Sequence, residues 1–184
     1  MTGKKSNLSF NISYCGISVA LSVISMFAAL VPAMTYALPA IAGIILWTIN
    51  VQISRKWALL SYAACALLCL ILVPEIEANL YFIAFFGFYP SIRDFIEKAK
   101  PKFLSYIIKL LLFNIMIVLA FQLLCLIISA DKILDGLEDF GDYAVYVFWG
   151  TANFAFIVYD LCLNSIFYAF NKWVKPKLSR MIKR

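Results

Sequence analysis

The sequence predicts an all-α, polytopic membrane protein with six transmembrane helices in one domain, residues 1–184, and both ends on the cytoplasmic side. Three observations carry that expectation. Of 184 residues, 64% are apolar and only 14% are charged, with a mean hydropathy of +0.90. A water-soluble domain needs about 25% charged residues to cover its surface. Most of the few charges lie between or at the ends of long apolar runs, and the basic ones gather in alternate gaps.

The first run covers Tyr14–Val31 and is ended by Pro32. Lys4 and Lys5 precede it, as in a secretory leader, but the run exceeds a leader's apolar core and further spans follow, so it reads as a retained helix. The second run is Thr35–Val51, closed by Ser54, Arg55 and Lys56, and the third is Trp57–Val73, stopped by Pro74. The fourth starts at Ile76 and stays apolar to Tyr89, with Gly87 and Pro90 at its end. Pro90 is expected to kink a helix that continues amphipathically through Ile92, Phe95 and Ile96 along the interface. The fifth run is Phe103–Ala130 and the sixth Tyr143–Trp173. At about 1.5 Å per residue, most of these cross a hydrocarbon core of about 30 Å, some only barely. The connecting loops are tight except for Asp131–Asp142.

Orientation follows from the Lys/Arg asymmetry, in which acids count for little. With the N-terminus inside, Lys4, Lys5, Arg55, Lys56, Arg93, Lys98, Lys100 and Lys102 fall on one side. Lys172, Lys175, Lys177, Arg180, Lys183 and Arg184 join them, making 14 of the 16 basic residues. The other side receives Lys132 with Glu75, Glu77, Asp131, Asp135, Glu138, Asp139 and Asp142. The lipid bilayer, in a bacterial plasma membrane, is the expected environment, and the basic clusters read as topology with no nucleic-acid partner.

Several chemistries are disfavoured. There is no histidine, and the five cysteines (Cys15, Cys65, Cys69, Cys125, Cys162) lie in apolar runs, where a thiol serves as a small apolar filler. No disulfide framework, metal site or cofactor is expected, and no catalytic constellation can be built, so the chain does not read as an enzyme. Asp94 and Glu97 sit in a basic stretch and look like solvated partners for Arg93 and Lys98.

Three groups of polar or small residues remain as candidates. Lys109 lies about two turns inside the fifth run and Asp160 well inside the sixth; with Asn114 and Asn164 they form a possible polar ladder between the last two helices. One reading is a snorkelling lysine and a neutralised aspartate that serve packing; the other is a coupling or proton-sensitive site. Gly16/Ala20 and Ser25/Ala29 give the first run small-xxx-small spacing, which suits either internal packing or docking of a partner subunit. At the outer ends, Glu77, Tyr81, Trp149 and Asn153, accompanied by Thr35, Tyr36, Glu75, Tyr143 and Tyr146, read either as an aromatic belt or as the wall of a pocket for a flat, polar small molecule.

Two resemblances can be stated from these residues. The stretches Thr35-Tyr-Ala-Leu-Pro-Ala-Ile-Ala-Gly43, Lys56-Trp-Ala-Leu-Leu, Phe85-Phe-Gly-Phe-Tyr-Pro90 and Lys109-Leu-Leu-Leu-Phe-Asn114 resemble a group of small membrane proteins from Gram-positive anaerobes, a likeness that implies no activity. The overall plan resembles the substrate-binding S component of energy-coupling factor (ECF) vitamin importers. That likeness implies an outward pocket for a vitamin or its precursor, here Glu77, Tyr81, Trp149 and Asn153. It also implies a first helix that docks a transmembrane coupling subunit, here through Gly16, Ala20, Ser25 and Ala29 in place of the family's Ala-x-x-x-Ala pattern, with transport driven by partner ATPases. The alternative is a non-catalytic accessory, regulatory or immunity membrane protein without a small-molecule ligand.

Overall fold

The computed structural model describes residues 8–31, 34–98, 100–127, 141 and 143–174. Lys4, Lys5, Pro32, Lys132, the acids between Asp131 and Asp139, Asp142 and the cations from Lys175 onward lie outside the described residues. The chain divides into two units, Met1–Ile127 and Ile128–Arg184.

All regular structure among the described residues is helical. The first unit holds α1 (Leu8–Ala28), α2 (Ala37–Gln52), α3 (Arg55–Leu72), α4 (Ile76–Tyr81), α5 (Tyr89–Ile96) and α6 (Lys102–Ile127); the second holds α7 (Ala144–Ala169). Among the described residues, each of the six apolar runs is mostly helical. Four of them, α1, α3, α6 and α7, are long and apolar enough to cross a membrane. The 16 residues of α2 rise only about 24 Å, and the fourth run is broken into short pieces. The exposed side chains are compatible with a lipid surround: Ile71 and Leu126 are 79% and 82% exposed, and a water-facing surface rarely carries so much contiguous apolar area.

The core of the first unit lies among α1, α2, α3 and α4. Met26, Ala42, Leu46, Ile49, Cys65 and Phe82 are fully buried there. Ala42, Ala58, Cys65 and Ala78 are small, which lets helix backbones approach closely where no hydrophobic effect drives helices together in lipid. The closest approach is at Gly43 in α2: a Cβ at that position would collide with the Phe86 carbonyl.

The fourth run shows why Phe86 reaches α2. After α4 the chain forms a π-helical turn, Phe82–Phe86, in which the Gly87 N–H donates to the Phe82 carbonyl five residues back. That shift leaves the Ile83 carbonyl to another donor, and the Tyr62 hydroxyl of α3 supplies it at 2.6 Å. Pro90 has no N–H to offer the Phe86 carbonyl, and α5 starts afresh with the proline in its first turn, where a missing N–H is harmless. The expected kink within one continuous helix is therefore a π turn and a restart. Its cause is the pairing of Gly87, packed against the Tyr62 ring, with Pro90.

Candidate functional site

Chain connectivity brings the end of α1, the start of α2, the end of α3 and the start of α4 to one end of the first unit. Here the Tyr36 hydroxyl donates to Glu77 Oε1 at 2.9 Å, and the Tyr36 and Tyr81 rings lie tilted with centroids 5.3 Å apart. The Tyr81 hydroxyl is buried beside both residues but completes no hydrogen bond. Glu77 and Tyr81, expected to share a pocket wall, are thus brought together, and Tyr36 ties them into one group.

Asn79 holds this end in place. Its side-chain amide donates to the Cys69 and Val73 carbonyls at 3.3 and 2.8 Å, satisfying the end of α3 across the Pro74 turn. The sequence signal for this role is an asparagine a few residues past a helix-stopping proline, in a stretch otherwise apolar.

The small residues of α1 divide by position. Ser25 and Ala29 turn inward: the Ser25 hydroxyl donates to the Leu38 carbonyl at 3.5 Å, and Ala29 is buried. Gly16 and Ala20 instead line an open apolar groove of about 470 Å³ between α1 and α3, with Ile12, Trp57, Leu60 and Ala64. A Cβ on Gly16 would meet nothing. Of the four, only the pair nearer the N-terminus presents a free face.

The opposite end of the first unit is charged and closed on itself. Glu97 Oε1 lies 2.7 Å from Arg93 and 2.9 Å from Lys109 Nζ. Trp47 Nε1 and Asn50 Nδ2 donate to Asp94 Oδ2 at 3.3 and 3.4 Å, and the Arg55 guanidinium sits 5.0 Å over the Phe95 ring. The expected pairing of Glu97 with Arg93 forms and Glu97 stays exposed, but Arg93 is not solvated. Residues 89–96 form α5 packed under α2 and α6, and Arg93 is 1% exposed. Burial raises the Asp94 pKa, opposed by the Trp47 hydrogen bond and the Arg93 charge. A proline-started helix with Arg93 and Glu97 spaced four apart was the available signal.

In the second unit, Asp160 shares a low-exposure face of α7 with Phe156, Leu163 and Phe167. The Asn153 amide donates back to the Trp149 carbonyl at 2.9 Å, and the Trp149 ring meets Phe148 edge-on. In the first unit the Asn114 amide donates to the Leu110 carbonyl in the same manner. Lys109 and Asp160, like Glu77 and Trp149, belong to different units. The cysteine pair Cys65 and Cys69 is buried with its sulfurs 3.9 Å apart, and no group of metal-ligating side chains forms among the described residues. No protein-family model, curated protein or solved structure matches this chain.

Proposed function

We propose that this chain is the substrate-capturing membrane subunit of a vitamin or micronutrient importer, working without covalent chemistry and driven by partner ATPases. The observation that supports it most is the Tyr36–Glu77–Tyr81 group. It offers a carboxylate, two aromatic faces and an unsatisfied buried hydroxyl at one end of a helical membrane unit, the combination that orients a small polar ligand. In this reading six helices span the membrane with both ends inside, and the group opens outward, away from the basic clusters. Gly16 and Ala20 dock the coupling subunit in the α1–α3 groove, while Ser25 and Ala29 set how closely α1 packs on its own unit.

Native mass spectrometry of the protein, gently extracted from its own membranes, tests the proposal. A bound small molecule, or co-purification of a membrane subunit with ATPases, is the expected result. Protein that is repeatedly ligand-free and partner-free, even after extraction in lipid nanodiscs, overturns it in favour of an accessory role. Gly16→Leu adds a second test. It should break co-purification of the coupling subunit without lowering thermal stability, because its side chain enters open space.

A further inference from the structure

Building on the binding-subunit reading above, we propose that the Tyr36–Glu77–Tyr81 group recognises a protonated amine that bears N–H donors and a flat apolar body. The charge argument comes first. The segments that build this end, residues 34–40 and 70–81, contain two carboxylates, Glu75 and Glu77, and no lysine or arginine. An anionic ligand would meet repulsion here, and a neutral one would leave the Glu77 charge unanswered. A cation answers it, and the electron-rich faces of Tyr36 and Tyr81 add cation–π attraction beside the same carboxylate.

The hydroxyls specify the kind of cation. The Tyr36 hydroxyl is committed as a donor to Glu77 Oε1, which fixes the carboxylate against α2. Tyr81 is only 4% exposed, and its buried hydroxyl completes no hydrogen bond. Leaving a buried hydroxyl unmatched is costly, so a ligand that satisfies it gains affinity. Its oxygen can accept an N–H from an ammonium that also donates to Glu77. A quaternary ammonium has no such hydrogen and gains only the charge and the aromatic faces. The site therefore favours a primary or secondary amine over its quaternary counterpart.

Isothermal titration calorimetry on the detergent-purified full chain tests this with three probes of one shape: benzylamine, benzyl alcohol and benzyltrimethylammonium. Benzylamine should bind at least about tenfold more tightly than benzyl alcohol, since a hydrogen bond to a charged group is worth that much or more. Glu77→Gln should abolish the difference. Tyr81→Phe keeps the ring and removes only the hydroxyl; it should weaken benzylamine about three- to tenfold and leave benzyltrimethylammonium unchanged. Equal binding of the amine and the alcohol overturns the proposal, as does a Tyr81→Phe variant that weakens both cations alike. Should Glu77→Gln fail to fold, the Tyr81→Phe comparison decides alone. A neutral or anionic molecule found bound to the native protein, and held equally by Tyr81→Phe, would sink the amine while sparing the binding subunit. An empty native protein that binds none of the three probes sinks both.

Discussion

Replacing Glu97 by glutamine removes the carboxylate that Arg93 and Lys109 share, at 2.7 and 2.9 Å, while keeping its shape. The two cations are almost fully buried, with side chains 1% and 4% exposed, whereas Glu97 is 39% exposed. Breaking a fully buried pair costs about 3–5 kcal/mol, and a surface pair about 0–1 kcal/mol. With one partner exposed and the others buried, the loss should fall between, at about 1–3 kcal/mol. For a chain of this size that corresponds to a drop in Tm of about 2–12 °C. The assay is built into the protein: Cys15, Cys65 and Cys69 are buried and Cys162 is exposed. A thiol-reactive fluorophore therefore reports unfolding as the three buried thiols emerging above the signal of Cys162 and of the half-buried Cys125. Lys109→Met should cost less, because it leaves Glu97 with Arg93. The double variant should lose less than the sum of the two single ones by at least about 0.5 kcal/mol. A Glu97→Gln Tm within a degree of wild type, or strictly additive losses, would refute the claim that this bridge ties α5 to α6.

Other outcomes follow from the same geometry. Gly43→Ala should destabilise by about 1–3 kcal/mol or more, because its Cβ runs into the Phe86 carbonyl, while Gly16→Ala, facing open space, should stay within about 0.5 kcal/mol of wild type; paired melting curves check both. Asn79→Leu removes two hydrogen bonds to the end of α3 and should cost about 1–3 kcal/mol, read in the same thiol assay. The raised folded pKa of Asp94 means the native state holds that proton more tightly than the unfolded chain. Its contribution to stability is greatest at low pH and is lost as pH rises from about 4 through the folded value. Asp94→Asn should flatten that part of the stability–pH profile and leave the protein more stable at neutral pH; an unchanged slope would count against burial as the cause.

The helices were legible because their signal is compositional. Among the described residues every apolar run, from Tyr14–Val31 to Tyr143–Trp173, is mostly helical, since a chain with so few charges and long apolar stretches must satisfy its backbone internally. Their lengths were less legible. The second run yields the 16-residue α2, and the fourth splits at a π turn. Hydropathy reports only that a segment is apolar, whereas the break depends on where carbonyls find donors: Gly87 reaching back to Phe82, Tyr62 taking Ile83, Pro90 offering nothing to Phe86. The conjunction of Glu77 and Tyr81 was visible from one-turn spacing. Tyr36 was grouped with them at the same end, but its hydrogen bond to Glu77, 41 residues away, was not legible. Glu97 is exposed and pairs with Arg93 as expected, but Arg93 itself misled for a related reason: a basic stretch reads as solvated until the helix that buries its arginine is known.

The two ends of the first unit use polar residues in opposite ways, and that contrast ranks the candidates. At the charged end, each carboxylate is answered within the unit: Glu97 by Arg93 and Lys109, Asp94 by Trp47 and Asn50. These contacts join α2, α5 and α6 directly, so their physical effect is to hold a short helix against longer ones, and a ligand would have to break them to enter. Lys109, a costly cation on a membrane-length helix, is explained in part by that duty. At the other end, the Glu77 carboxylate is met by a phenol instead of a cation, and a second phenol beside it is left without a hydrogen bond. An arrangement selected only for packing would gain by replacing Tyr81 with phenylalanine, which keeps the ring and discards the unmet hydroxyl. If Tyr81→Phe raises the Tm while weakening amine binding, the hydroxyl is retained for the ligand at the expense of stability. If it raises the Tm and leaves binding untouched, the Tyr36–Glu77–Tyr81 group is a belt of aromatics and the search for a ligand belongs elsewhere on the chain.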